Sequence, residues 1–311
     1  MTTTSSTSSS PSPALVPAGL LDADATVEHL CDGFLFTEGP VWNPLEQRLY
    51  FHDLMGDARW RWSDAAGLEL VAQPSGKGNG MTYEQDMTLV ICQHNLSRLL
   101  AYRPDGHVDV LASHWEGREL NSPNDVVAHS DGRLFFSDPS YGRLAEPGIE
   151  RDQDLDFQGL YMLTAGTREL RLLRGDFGQP NGVCLSPDES VLYVNDTPRA
   201  RIRALRVSTD GEVLEDRVFA DEIGDGSIEI GAVDGMKCDE HGNVWVSGPG
   251  GLWVFDPDGQ RIGVVSVPEV VGNLAWGGAD RTELFICATS SLYRLRTAVR
   301  GRREPFMPVN G

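Results

Sequence analysis

The 311-residue chain is 40% hydrophobic and 8% aromatic, enough to bury a sizeable core. A formal net charge of -20 and a pI near 4.6 leave no basic stripe for nucleic acid and oppose anionic membrane surfaces. No run of 18 apolar residues occurs, so no transmembrane helix is expected.

In chain order, residues 1–18 open with "MTTTSSTSSSPSP". They lack the positive and apolar regions of a secretory signal, and their Ser/Thr/Pro composition predicts a disordered tail. Residues 19–311 are expected to form one domain. The strand-like stretch "TVEHLCDGF" (26–34) comes first. A hairpin pattern then repeats six times: "EGPVWNPLEQRLYFHDL" from Glu38, "NGMTYEQDMTLVICQH" from Asn79, "NDVVAHSDGRLFFSDP" from Asn124, "NGVCLSPDESVLYVND" from Asn181, "DGMKCDEHGNVWVSG" from Asp234 and "NLAWGGADRTELFICAT" from Asn273. Each has a small or polar head, a short apolar run, a turn rich in Asp, Gly, Pro or Asn, and a second β-rich run. Further alternating runs with turn residues follow at 98–112, 160–173, 202–220 and 251–267.

The heads fall near Gly39, Gly80, Asp125, Gly182, Gly235 and Leu274, at intervals of 41, 45, 57, 53 and 39 residues. Strand-only repeats of roughly 40–50 residues predict propeller blades of four strands each. The expected fold is all-β, a six-bladed propeller around a central channel. The 26–34 stretch is expected to complete the last blade beside "SLYRLR" (291–296). The five cysteines are odd in number and form no CxxC pair. All but Cys31 lie in apolar runs, and they read as buried free thiols of a reducing cytoplasm.

Inner strands of a propeller converge on one channel, so equivalent positions meet in space. The heads are Glu38, Asn79, Asn124, Asn181, Asp234 and Asn273. Side-chain capping of turns accounts for Asn and Asp singly. It does not account for Glu38, nor for oxygen donors at all six positions. A ring of carboxylates and amide carbonyls suits a hard divalent cation, Ca²⁺ first, with Zn²⁺, Mn²⁺ and Fe²⁺ compatible.

The segments "TEGPVW", "SPNDVV", "QPNGV" and "VDGMKCDEHGNVWV", in this order and spacing, resemble the senescence marker protein/gluconolactonase/luciferin-regenerating-enzyme family over about residues 30–296. The resemblance implies a six-bladed propeller with a divalent metal in the channel. It implies Glu38, Asn181 and Asp234 as metal ligands, with Asp234 also catalytic, and Asn124 at a position that ligates the metal in some members and contacts substrate in others; here it is read as a further ligand. Animal members carry an arginine two residues before that asparagine; here the position is Ser122. "LNSPNDVV", "SDPSYG" and "GKGNGM" fit the bacterial lactonase-like branch better. Val233 stands where the family usually has proline.

The expected activity is therefore metal-dependent opening of a small lactone, of the gluconolactone type or related. The metal would polarise the carbonyl. Asp234 is read either as base toward the attacking water or as nucleophile. Asn121, His94, Tyr141 and Asp196 are read as substrate contacts. The long segment after Tyr141 is expected to overhang the channel. Two other readings are organophosphorus ester hydrolysis at the same site and a non-catalytic calcium- or ligand-binding propeller. "DQDLDFQG" (152–159) has EF-hand-like alternation but offers Phe157 and Leu163 where Gly and Glu are required. "GKGNG" (76–80) precedes no helical pattern, which excludes a phosphate cradle.

Overall fold

A computed structural model describes residues 19–22, 24–227 and 229–308, and the expected tail at 1–18 lies outside the described residues. Six four-stranded antiparallel sheets form the blades. Blade 1 comprises Thr37–Asn43, Arg48–Asp53, Ala58–Ser63 and Gly67–Ala72. Blade 2 comprises Gly78–Tyr83, Leu89–Gln93, Arg98–Tyr102 and Val108–Ala112. Blade 3 comprises Val126–Ala128, Leu134–Asp138, Gln158–Leu163 and Leu170–Phe177. Blade 4 comprises Pro180–Leu185, Leu192–Asp196, Arg201–Val207 and Val213–Ala220. Blade 5 comprises Met236–Cys238, Val244–Gly248, Gly251–Phe255 and Arg261–Ser266.

Blade 6 comprises Val271–Gly277, Glu283–Ala288 and Ser291–Arg296, and its fourth strand comes from the other end of the chain. Glu28–Asp32 pairs antiparallel with Ser291–Arg296, with Glu28 opposite Arg294. The expected closure is therefore present, and it satisfies the edge that blade 6 would otherwise expose. Each inner strand packs against the inner strands of both neighbouring blades, blade 6 against blade 1 included. That contact closes the ring.

The core lies between blades, because each sheet has two faces to cover. Trp42 of blade 1 stacks on Phe285 of blade 6 with ring centroids 5.5 Å apart. Trp245 and Trp276 meet edge to face between blades 5 and 6. Cys92, Cys184, Cys238 and Cys287 are buried free thiols, and Cys31 is partly exposed. The inner strands run from their heads toward the opposite mouth of the channel. There Arg302, Phe306 and Met307 of the C-terminal segment cover Trp42, Met81 and Val126. Arg302 is buried, donates to the Ser186 carbonyl and pairs with Glu189 and Glu304.

Candidate active site

The heads approach closely because the backbone around them leaves no room for larger residues. Gly39 adopts φ +54°, and a Cβ there would lie 1.9 Å from the Asn79 carbonyl oxygen. A Cβ at Gly182 would lie 2.1 Å from the Asp234 carbonyl oxygen. Both positions therefore require glycine. Neighbouring heads are also hydrogen-bonded: Gly80 N–H donates to the Asn124 carbonyl at 2.8 Å, and Gly235 N–H to Gly272 at 2.7 Å. Side chains of the second strands secure the head carbonyls of the next blade. His52 Nδ1 lies 2.8 Å from the Asn79 carbonyl, Ser137 Oγ donates to Asn181 at 2.6 Å, and Asn195 donates to Asp234.

This lattice holds a ring of oxygen-bearing side chains at one mouth of the channel, around a cavity of about 400 Å³. Glu38, Asn79, Asn124, Asn181 and Asp234 line it, with His94, Tyr141 and Thr197 beside them. Glu38 is buried, and its Oε2 accepts from Gly39 N–H at 2.5 Å and from Asn273 Nδ2 at 2.9 Å. Asn273 thus lies behind Glu38 as its donor and is absent from the cavity wall. Asn181 donates through Nδ2 to Thr197 Oγ1 at 3.2 Å, and Thr197 Oγ1 donates to the Val233 carbonyl at 2.8 Å. That bond fixes which atom Asn181 has left to offer, its Oδ1. The Asp234 N–H is held by Ser247 Oγ at 2.8 Å.

The electrostatics follow from two carboxylates sharing one cavity. Burial pushes Glu38 up to about 7, against the pull of the Asn273 amide and the Gly39 N–H. Asp234 is raised well above the usual carboxylate range, first by burial and then by the neighbouring Glu38 charge. Burial pushes His94 down to about 3, with Arg151 nearby adding to it, so its imidazole is neutral. Burial pushes Tyr141 up to about 12, which keeps the phenol a donor.

Among the described residues, the buried Oδ1 atoms of Asn79 and Asn181 have no hydrogen-bond partner, and neither has Nδ1 of His94. An orphaned amide oxygen beside two mutually repelling carboxylates lacks a positive charge. The donor set is all oxygen, as a hard divalent cation requires. No cluster of three His, Cys, Asp or Glu groups is present among the described residues. The set here is two carboxylates completed by amide oxygens, and the residues fit such an ion.

Of the residues read from the sequence, the structure brings Glu38, Asn124, Asn181, Asp234, His94 and Tyr141 to one cavity. Asp125 braces the ring from behind, since its Oδ2 accepts from Val183 N–H of blade 4 at 3.1 Å. Two expected substrate contacts sit elsewhere. Asp196 is fully buried and accepts the Gly178 and Gln179 N–H groups, with Arg199 paired to it. Asp53 and Asp138 do the same in blades 1 and 3, accepting from Leu35 and Phe36 and from Asn121 and Ser122. The aspartate ending these second strands is a clamp on the segment before the head. Asn121 is likewise fully buried and donates to the Asp138 and Phe157 carbonyls.

The segment after Tyr141 does overhang the mouth. Tyr141 and Pro147 line the cavity. Arg143 holds the segment to the Leu120, Asn121 and Asp152 carbonyls, and Arg151 holds it to Gly142, Ile149 and His94. Reading the sequence missed Thr197, Thr289 and Glu229, as well as the apolar lining from Phe36, Leu54, Met55, Val270 and Val271. A residue such as Val271 at the start of a β-run carries no signal that separates cavity wall from core.

A propeller with an oxygen-lined ring at one mouth defines the class, and comparison with known proteins gives the family. The model described as SMP-30/Gluconolactonase/LRE-like region matches residues 36–290, and the chain belongs to that family. It is 30% identical over 305 residues to the gluconolactonase of Zymomonas mobilis, covering 91% of this chain and 84% of that protein. It is 29% identical to the pentonolactonase XacC of Haloferax volcanii, covering 86% and 92%. A solved gluconolactonase from Xanthomonas campestris superposes with a TM-score of 0.82 at 30% identity, covering 91% and 94%.

Proposed function

We propose that this protein is a divalent-metal-dependent lactonase that opens a sugar lactone or a related small lactone. The observation that carries the proposal is the pairing of buried Glu38 with partly exposed Asp234, with no Lys or Arg among the described residues lining their cavity, beside the orphaned Oδ1 of Asn181. Glu38, Asn124, Asn181 and Asp234 would hold the ion, Ca²⁺ first among the candidates. When bound, such an ion supplies a Lewis acid for the lactone carbonyl and lowers the pKa of water beside it.

The chain's own residues supply the rest. The Gly39 N–H and Asn273 fix Glu38, and Thr197 engages the Asn181 amide N–H, which leaves its unpartnered oxygen for the ion. Ser247 and Asn195 hold the Asp234 backbone on both sides of its side chain. Asp234, kept ionised by the bound cation, would accept the proton of the attacking water. Tyr141 as donor and the neutral His94 orient the substrate's oxygens above the ring. The Arg-clamped 143–151 segment narrows the mouth and excludes bulk water.

The test is Asp234→Asn, assayed for glucono-1,5-lactone opening by pH-stat and for Ca²⁺ binding by calorimetry. The expected result is retained, weakened binding with turnover reduced by at least a hundredfold. Full turnover by this variant would overturn the assignment.

A further inference from the structure

The cavity has two chemically distinct sides, and they follow the order of the blades. Blades 2 to 4 contribute Asn79, His94, Asn124, Tyr141, Asn181 and Thr197, each with a hydrogen-bonding group, and Pro147 of the overhanging segment. Blades 6 and 1, adjacent in the ring, contribute the apolar Phe36, Leu54, Met55, Val270 and Val271, with Glu38 and Thr289 as their only polar members among the described lining residues. That second wall is continuous across the blade junction, since the Phe36 ring lies 3.4 Å from where a Cβ on Gly272 would sit. The apolar character extends outward. Leu35 is exposed next to Phe36 in the chain, and Leu144 and Ile149 are exposed on the overhanging segment that carries Pro147. Among the described lining residues none is Lys or Arg, so nothing in the wall recognises a phosphate or carboxylate substituent. A cavity of about 400 Å³ also has room beyond one lactone ring.

A polyhydroxylated ring has hydroxyls around its whole circumference. Against Phe36, Leu54, Met55, Val270 and Val271 those hydroxyls would lose water without gaining a partner, which is unfavourable. A hydrocarbon substituent gains there instead. We infer that the preferred substrates are lactones carrying an aliphatic or aryl substituent, with the ring oxygens toward blades 2 to 4 and the substituent along Phe36, Met55 and Val270. This rests on the lactonase reading above and adds which lactones the site selects.

The experiment is kcat/KM by pH-stat, with Ca²⁺ present, for saturated δ-lactones bearing no, methyl, propyl and butyl side chains, alongside glucono-1,5-lactone. Each methylene buried on the apolar wall is expected to raise kcat/KM about fourfold. The butyl compound then exceeds the unsubstituted ring by about two orders of magnitude. Met55→Gln with Val270→Thr, two partly exposed positions, should flatten that slope while leaving the melting temperature within a few degrees. If glucono-1,5-lactone is opened and the alkyl series is flat or falling, the selectivity is wrong and the lactonase reading stands. If no lactone in the panel is opened with any of Ca²⁺, Mn²⁺ or Zn²⁺, both fall together.

Discussion

Glu38→Gln should stabilise the metal-free protein, and only at the pH where the carboxylate is charged. Glu38 is buried, and its folded-state pKa is pushed from 4.5 to about 7. For a carboxyl group raised on folding, the unfolded chain loses its proton first. Stability therefore falls as pH rises from 4.5 toward 7, and it levels off above that. A shift of this size costs up to about 3 kcal/mol at pH 8. Glutamine keeps an acceptor for the Gly39 N–H and for Asn273, and its amide can donate toward Asp234. In EDTA at pH 8 the variant should melt about 5 °C above the wild type, a scale set by the unfolding entropy of a domain this size. At pH 5 the difference should vanish. Saturating Ca²⁺ should reverse the order, because only the wild type offers both carboxylates to the ion. A variant no more stable than wild type at pH 8 in EDTA, or one with the same advantage at pH 5, would refute the picture of an uncompensated buried charge.

Three further outcomes follow from named contacts. Thr197→Val removes the acceptor that orients Asn181; calorimetry should show Ca²⁺ affinity about tenfold weaker, with the fold intact by circular dichroism. Arg151→Ala removes the bonds from the 143–151 segment to His94 and Ser97 of blade 2; KM should rise several-fold, and limited proteolysis should cut within this segment faster than in wild type. A chain begun at residue 34 lacks Glu28–Asp32 and leaves Ser291–Arg296 as an open edge; it should aggregate on size-exclusion chromatography where the full chain does not.

The architecture was legible because a propeller repeats its hairpin, and six polar heads in one frame cannot arise from a non-repeating chain. The closing strand was legible too, as strand-like "TVEHLCDGF" had no partner within its own repeat. Glu38 stood out because turn chemistry does not call for glutamate. Asp196 misled for the opposite reason: an aspartate after a β-run fits a substrate contact and a backbone clamp equally well. The shared frame of "FHDL", "FSDP" and "VNDT" was the available signal, since Asp53, Asp138 and Asp196 make the same bonds in three blades. Asn273 shows the limit of the repeat itself. Its position matches the other heads, yet its amide faces Glu38 rather than the cavity, because blade 6 presents Val270 and Val271 there instead. Apolar wall and apolar core are the same residue types, and only the fold separates them.

The central claim is that Glu38 and Asp234 serve a divalent ion needed for lactone opening. The most direct measurement is glucono-1,5-lactone turnover by protein stripped with EDTA, dialysed, and then titrated with Ca²⁺, Mn²⁺ or Zn²⁺. The account predicts no enzymatic rate in the stripped protein and a saturable return of activity at about one ion per chain. Undiminished turnover by the stripped protein, with no response to added ion, would contradict it.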